Sequence, residues 1–245
     1  MNGTIRYTIR PYDTIWMLAQ VFNTTVDSIM ELNPGLEPRN LFVGQVVTIR
    51  PGYSTFPSYS ETNGADDLFD TDLEDLRDYF RMLWEEHVIW TRAVITGIVH
   101  DLPETELFIQ RLHRNARDFG NAFLPFYGEE VAQTISELMS NHVDIAVELV
   151  RAARDGDNNA MTEADQRWRS NAEQLAEFLG NINPNWSVED WSAMLNEHLD
   201  LLSANTSDML AGNYMESIND FDNIEMQALE MADMMAEGIA EQFPD

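Results

Sequence analysis

The feature that most constrains this chain is the order of strand, helix and turn signals within residues 7–51. Tyr7 and Ile9 begin a short alternation of apolar and polar residues, which predicts a β-strand. Asp13-Thr14 then supplies side chains that commonly cap a helix N-terminus. The apolar residues that follow have helical spacing and predict the inward face of a short helix: Ile15, Leu18, Ala19 and Phe22.

A second short helix and a closing strand complete the pattern. Asn33-Pro34-Gly35 is a strong stop signal at the end of the second helix. Val46–Ile49 is rich in β-branched residues and predicts a strand, which ends at Pro51. The predicted order is therefore β-α-α-β. The apolar residues of the second helix are Val26, Ile29 and Leu32.

In this register, the module resembles a LysM domain. The resemblance covers under a fifth of the chain and implies binding of an N-acetylglucosamine-containing glycan, such as peptidoglycan or a chitin-like polymer. Tyr12 departs from the family pattern, which usually has Gly at this position. A bulky residue there is expected to reshape one wall of the glycan-binding groove. The residues that carry the resemblance are Asp13-Thr14, Leu18-Ala19, Phe22, Asn33-Pro34, Leu41, Gly44-Gln45 and Ile49.

The resemblance also implies a binding groove between two loops. Main-chain groups of these loops would bind the acetamido group of the sugar, and Ile15 or Trp16 would pack on the sugar face. The same residues also have a purely structural explanation, because Asp13-Thr14 caps a helix and Asn33-Pro34 ends one whether or not sugar binds. The residues assigned to the groove are Asp13, Thr14, Ile15 and Trp16 on one side, and Asn33, Pro34, Gly35 and Leu36 on the other.

The net charge of −29 is concentrated outside this module. Residues 1–55 contain four Arg and four acidic residues, whereas the rest of the chain contains ten Arg, 39 acidic residues and no Lys. So acidic a surface disfavours nucleic-acid binding, which depends on basic residues near phosphates. It is typical of a well-solvated, salt-tolerant surface, although weak cation binding or a basic partner would also fit.

The composition excludes several kinds of site and segment. The chain has no cysteine, so disulfides and thiolate metal sites are excluded. It shows neither a secretion signal nor an apolar run long enough for a membrane span. We expect an envelope protein that is exported without a visible signal, for example in a spore envelope, or otherwise a cytoplasmic protein.

The rest of the chain predicts an all-α antiparallel bundle of about six helices. Residues 1–52 would form the module, 53–66 a Gly, Ser, Thr and Pro-rich linker, and 67–245 the bundle. Helices are predicted over about 72–100, from Pro103 to a stop at Pro125 and Gly128, and over about 129–155, 162–179 (ending at Gly180) and 214–243. Ser187 is predicted to cap a further helix, whose inward residues run from Trp191 to Leu202.

Residues 84–243 also resemble an uncharacterised all-helical family of spore-forming and related bacteria. That resemblance supports a fold and implies no activity. It rests on Trp84, His87, Trp90-Thr91-Arg92, Arg111, Asn115, Asp118, Gly120, Pro125, Tyr127-Gly128, His142, residues 183–186, His198 and residues 231–233.

Three histidines are the main candidates for chemistry in the bundle. His87, His142 and His198 each fall on the inward face of a different predicted helix, and each precedes an aliphatic residue, which hints at an internal repeat. With Asp118 they could bind zinc, iron or manganese. The Glu-x-x-His spacing of di-iron bundles is absent, however, and a hydrogen-bonded polar core fits the pattern better.

Other signatures of catalysis are missing: there is no phosphate-binding Gly-rich loop, nucleophile elbow or cysteine nucleophile. The sequence therefore predicts a non-enzymatic glycan-binding protein whose acidic bundle is a scaffold or assembly unit. A metal-binding bundle and a structural subunit of a larger assembly are the alternatives. One such module should bind weakly, so tight attachment would need homo-oligomers.

Overall fold

The computed structural model describes residues 4–9, 15, 18–19, 22, 24–38, 41–42, 44–50 and 73–244, apart from the side chain of Asp75. The chain divides into two compact units, residues 1–65 and 66–245. The predicted linker, 53–66, lies outside the described residues.

The first unit contains strand β1 (Ile5–Thr8), helix α1 (Val26–Leu32) and strand β2 (Val46–Ile49). The strands pair in antiparallel register, from Ile5 opposite Ile49 to Thr8 opposite Val46. Thr25 caps α1, because its hydroxyl accepts a 3.1 Å hydrogen bond from the Ser28 N–H. Ile15, Leu18 and Ala19 are helical, as predicted for the first helix, and the other residues of that helix lie outside the described part of the chain.

One apolar core holds this unit together. It joins residues of the first predicted helix to α1, β2 and the loop after α1. Burying such side chains contributes about 1.5–3 kcal/mol each for Leu, Ile or Val. The buried members are Ile9, Ile15, Leu18, Ala19, Ile29, Leu36, Val47 and Ile49.

The second unit is helical throughout its described residues. Its helices are α2 (Leu73–Val99), α3 (Thr105–Asp155), α4 (Asn158–Ile182), α5 (Val188–Ala211) and α6 (Tyr214–Gln242). As expected from the sequence, Ser187 caps α5 by accepting a 3.2 Å hydrogen bond from Asp190 N–H. No described helix is long and apolar enough to cross a membrane.

Helix α3 is two antiparallel helices that meet at Gly128. That residue has φ 80° and ψ 178°, which is not helical. The chain folds back there: His113 lies 3.0 Å from Asp144, and Arg151 lies 2.6 Å from Glu106. We call residues 105–127 α3a and residues 129–155 α3b, so the bundle has six helical segments among its described residues.

The six segments close into a ring. Each packs against its neighbours in the chain, and α6 returns to pack against α2. Arg81 of α2 forms a bidentate ion pair at 2.7 Å with Asp233 of α6, and Arg77 pairs with Glu237 one turn away. The predicted fold class, a small βααβ-like unit followed by an antiparallel α-bundle, is confirmed.

Three predicted helix bounds are wrong. Pro125 does not end its helix, which continues to the break at Gly128. The fourth helix begins at Asn158 rather than near Thr162, since the Asp157 carboxylate caps it by accepting hydrogen bonds from Asn159 and Ala160. It also continues through Gly180, where a Cβ would lie 2.4 Å from Val188, so this glycine permits close packing instead of ending the helix.

Candidate functional site

The Asn33 side chain ties the end of α1 to strand β2. Its amide nitrogen donates to the carbonyls of Ile29 (2.7 Å) and Thr48 (2.6 Å), and its Oδ1 accepts from the Thr48 N–H at 2.7 Å. Both polar atoms are therefore used within the fold. Asn33 positions the loop that follows it, and its side chain has no unused group to offer a sugar.

The loop after Asn33 presents main chain at the surface. Pro34, Gly35 and Glu37 are exposed, and Leu36 between them is buried in the core. The Leu36 N–H donates to Asn33 O at 3.0 Å, which closes a turn, and Gly35 has φ +86°. An L-residue at that φ would be strained, so glycine suits this turn. The loop is thus anchored at both ends and exposed between them.

The predicted residues of the opposite loop are only partly described. Asp13, Thr14 and Trp16 lie outside the described residues, as does Tyr12. Ile15 is 1% exposed and belongs to the core, so its side chain is not at the surface to pack on a sugar face. Of the eight predicted groove residues, Pro34 and Gly35 are therefore placed at the surface, while Leu36 and Ile15 are core residues.

Comparison with known proteins decides the identity of this unit. The sequence model of the LysM domain family matches residues 7–50. Residues 7–50 form a LysM domain. The resemblance to LysM predicted from the sequence is therefore confirmed, and a LysM domain suggests carbohydrate binding.

A similar protein is the secreted LysM effector ELP2 of Colletotrichum higginsianum (strain IMI 349063). It is 40% identical over 48 residues, which is 20% of this chain and 27% of the effector. The likeness is therefore confined to the LysM domain and a part of the relative. No solved structure matches the chain.

In the bundle, each of the three predicted histidines hydrogen-bonds an amide side chain on the next helical segment. The three Nδ1 atoms lie 2.9–3.1 Å from an amide oxygen of that partner. Each amide nitrogen in turn donates to the main-chain carbonyl four residues before the histidine. The pairs and carbonyls are His87 with Asn115 and Leu83, His142 with Asn171 and Leu138, and His198 with Gln227 and Met194.

This geometry fixes the tautomer of all three imidazoles. Because each amide nitrogen is donating, the amide oxygen must accept, and the proton is on Nδ1. Nε2 is then an acceptor. In His142 it accepts a 3.1 Å hydrogen bond from the Trp168 indole. In His198 it is buried without a hydrogen-bond partner among the described residues.

The pairs reveal a threefold repeat of an αα-hairpin. Partners are separated by 28, 29 and 29 residues. The sequence hinted at the histidine half of the repeat and made Asn115 and Asn171 candidates for the same polar cluster, but it did not pair them with the histidines or point to Gln227. The signal of the amide half is an amide residue followed by Ala and then two apolar or small residues at helical spacing. The three segments are NARDFG from residue 115, NAEQLA from residue 171 and QALEMA from residue 227.

Burial makes the histidine cluster uncharged at neutral pH. The ring centroid of His87 lies 6.4 Å from that of His142 and 6.2 Å from that of His198. Desolvation lowers the pKa of His87 to about 4 and the pKa values of His142 and His198 to about 3. Neutral rings also avoid mutual repulsion in the core.

The predicted metal-site alternative gains no support from this arrangement. Among the described residues, no group of three or more His, Asp or Glu side chains could hold a metal ion. Asp118 is engaged elsewhere, 4.0 Å from Arg114 on the same helix. Each Nδ1 carries a proton, and the Nε2 of His142 is already hydrogen-bonded, so this ring is not free to act as a ligand.

Proposed function

We propose that this chain is a non-enzymatic protein that binds an N-acetylglucosamine-containing glycan, peptidoglycan or chitin, through its LysM domain. The observation that carries the proposal is the match of residues 7–50 to the LysM family. The loop of Pro34 and Gly35, anchored by Asn33 and exposed in between, is where main-chain groups would meet the acetamido group.

The helical bundle would serve as a scaffold or assembly unit. Its polar core supports this role, because the three imidazoles are used to join helices in pairs. A bacterial cell or spore envelope would bring such a protein to its glycan. A single shallow groove buries little ligand, so several linked copies would be needed for tight attachment. Light scattering on the purified chain tests this: a monomer would refute assembly by self-association.

Co-sedimentation of the full chain with insoluble peptidoglycan and with chitin tests the glycan proposal. We expect the chain to sediment with at least one of them. Gly35→Ala should lower its association constant for that polymer by about tenfold. The reason is that an alanine at positive φ costs about 1–2 kcal/mol, which the loop relieves by moving.

Gly212→Ala is the matched control. Gly212 has φ +77° in the turn between α5 and α6, and, as at Gly35, a Cβ there would meet no atom within 4 Å. It should leave retention unchanged. Failure of the unsubstituted chain to sediment with either polymer would refute glycan binding, and equal losses in both variants would refute the assignment of the loop.

A further inference from the structure

A cavity of about 370 Å³ lies among α2, α3a, α3b, α4 and α5. Its volume falls within the range of about 300–1,000 Å³ found for small-molecule sites. Thr162 and Ser207 line it and are exposed, so the cavity reaches the surface. The deeper wall is mostly apolar and includes Val94, Leu112, Val143, Val147 and Leu202.

Most polar groups of the inner wall are already hydrogen-bonded. Nε2 of His142 accepts from Trp168, and the Thr206 hydroxyl donates to Leu202 O at 2.8 Å. Two polar groups on one face of α2, by contrast, have no hydrogen-bond partner among the described residues. Nε2 of His87 makes no hydrogen bond to a described residue, and the buried Thr91 hydroxyl, one turn further along, has no partner among them either.

These two groups are complementary to a hydroxyl. His87 Nε2 can only accept, because Asn115 holds the proton on Nδ1, whereas the Thr91 hydroxyl can donate. Residues four apart on a helix lie on the same face, so one ligand oxygen can serve both. Leaving the buried Thr91 hydroxyl unpaired is unfavourable, since a buried polar group without a partner costs about 1–3 kcal/mol.

The cavity does not favour an ionic ligand. His87 and His142 are neutral at pH 7, because burial lowers the pKa of each. The acid that lines the cavity, Asp165, is 3.2 Å from Arg169, which also pairs with Asp200 at 2.7 Å. Asp165 is therefore already paired beside the cavity, and a charged ligand would be desolvated without a counterion at the inner end of the cavity.

We propose that this cavity binds a neutral, mainly apolar alcohol or phenol whose hydroxyl donates to His87 Nε2 and accepts from Thr91 Oγ1. The apolar body of the ligand packs against the valine and leucine side chains of the wall. This binding is separate from glycan recognition by the LysM domain and does not depend on it.

Titration calorimetry of the full chain with p-cresol and toluene tests the proposal, because the two probes differ only by a hydroxyl. Both should bind, and p-cresol should bind about tenfold more tightly, the worth of one to two net hydrogen bonds. In ¹⁵N-labelled protein, p-cresol and not toluene should shift the His87 Nε2 resonance, a readout that needs no substitution.

Thr91→Val and Thr206→Val form a matched pair, because both residues line the cavity and are equally buried at 7% exposure. Thr91→Val should reduce the preference for p-cresol by about threefold. Thr206→Val should not, since its hydroxyl is already bonded to the main chain. Ala146→Phe, which adds a ring at the cavity wall, should weaken both probes.

Several results would overturn the proposal. They are the failure of either probe to bind, equal affinities for the two probes, and an unchanged His87 nitrogen resonance with p-cresol. Equal effects of the two threonine substitutions would also overturn it. Undiminished toluene binding by Ala146→Phe would place the ligand elsewhere and have the same consequence.

Discussion

At the scale of single residues, the histidines of the bundle act in pairs with amides. Helical spacing placed His87, His142 and His198 on inward faces, and the structure confirms that all three are buried. The spacing could not identify their partners, since these are 28 or 29 residues away and depend on which helices pair. A buried imidazole is stable in the core because its partner amide is itself fixed by a carbonyl.

The same residues predict how stability depends on pH. Below pH 6.5 the unfolded chain protonates these histidines, whereas in the folded chain the pKa is about 4 for His87 and about 3 for His142 and His198. The unfolded state then binds more protons. Each histidine should therefore lower the free energy of unfolding by up to about 1.4 kcal/mol per pH unit as the pH falls from 6.5 towards 4.

Urea unfolding at several pH values between about 7.5 and 4.5 measures this slope. His198→Gln should reduce the part of this slope that is due to the buried histidines by about one third, because one of the three imidazoles is removed. A slope that is the same for His198→Gln and for the unsubstituted chain would contradict the prediction.

In the LysM domain, two residues assigned to the groove have side chains that serve the fold. The resemblance assigned Asn33 and Leu36 to a binding groove, and the structure uses the side chain of the first to bond β2 and that of the second to fill the core. The side-chain contacts of both residues shape the loop. Binding of the sugar by main-chain groups of that loop stays a prediction.

At the scale of helices, most bounds followed from caps and stop signals, and the errors have local causes. Ser187 and Gly128 were read correctly. Gly180 was misread as a stop, because the close approach of Val188 involves a residue on the following helix and leaves no signal at Gly180 itself. Glycine within a helix can thus indicate packing as well as an end.

Gly128 should be harder to replace than Gly156, the glycine at the other end of α3b. Its φ of 80° with ψ of 178° lies in a region that is essentially restricted to glycine, whereas Gly156, at φ 72° and ψ 21°, is left-handed helical. Gly128→Ala should cost about 1–3 kcal/mol of unfolding free energy and Gly156→Ala about 1 kcal/mol. A Cβ at either site would meet no atom within 4 Å, so the two variants differ in backbone strain alone.

Thermal and urea unfolding of both variants measure the difference. A Gly128→Ala protein as stable as Gly156→Ala would show that the sharp turn between α3a and α3b is not required. Near-ultraviolet circular dichroism should stay native in both, since the substitutions lie at turns.

At the scale of the whole molecule, charge opposes the fold. The net charge of −29 means that acidic side chains repel one another across the surface. Exposed ion pairs such as Arg151–Glu106 and Arg167–Glu148 each contribute little to the free energy of unfolding. Composition revealed this imbalance from the start, although it could not show which Arg residues would join neighbouring helices.

Added salt should therefore stabilise the protein. Screening at 0.5 M NaCl shortens the Debye length to below about 5 Å, which weakens the long-range repulsion more than contacts between paired charges. We expect a higher urea midpoint at 0.5 M than at 0.02 M NaCl, with urea used because guanidinium is itself a salt. A lower midpoint in high salt would show that the ion pairs outweigh the repulsion.

The closed ring has a consequence for how the protein is made. Helix α2 is synthesised first among the described bundle helices and α6 last, yet the two pack against each other in the folded ring. Until residues 214–242 have left the ribosome exit tunnel, α2 lacks α6 as a packing partner, and the apolar face that α6 covers stays exposed to water. Chaperone engagement during translation should accordingly persist until the final helix emerges, and a nascent chain halted at the α5–α6 turn should be especially sensitive to protease.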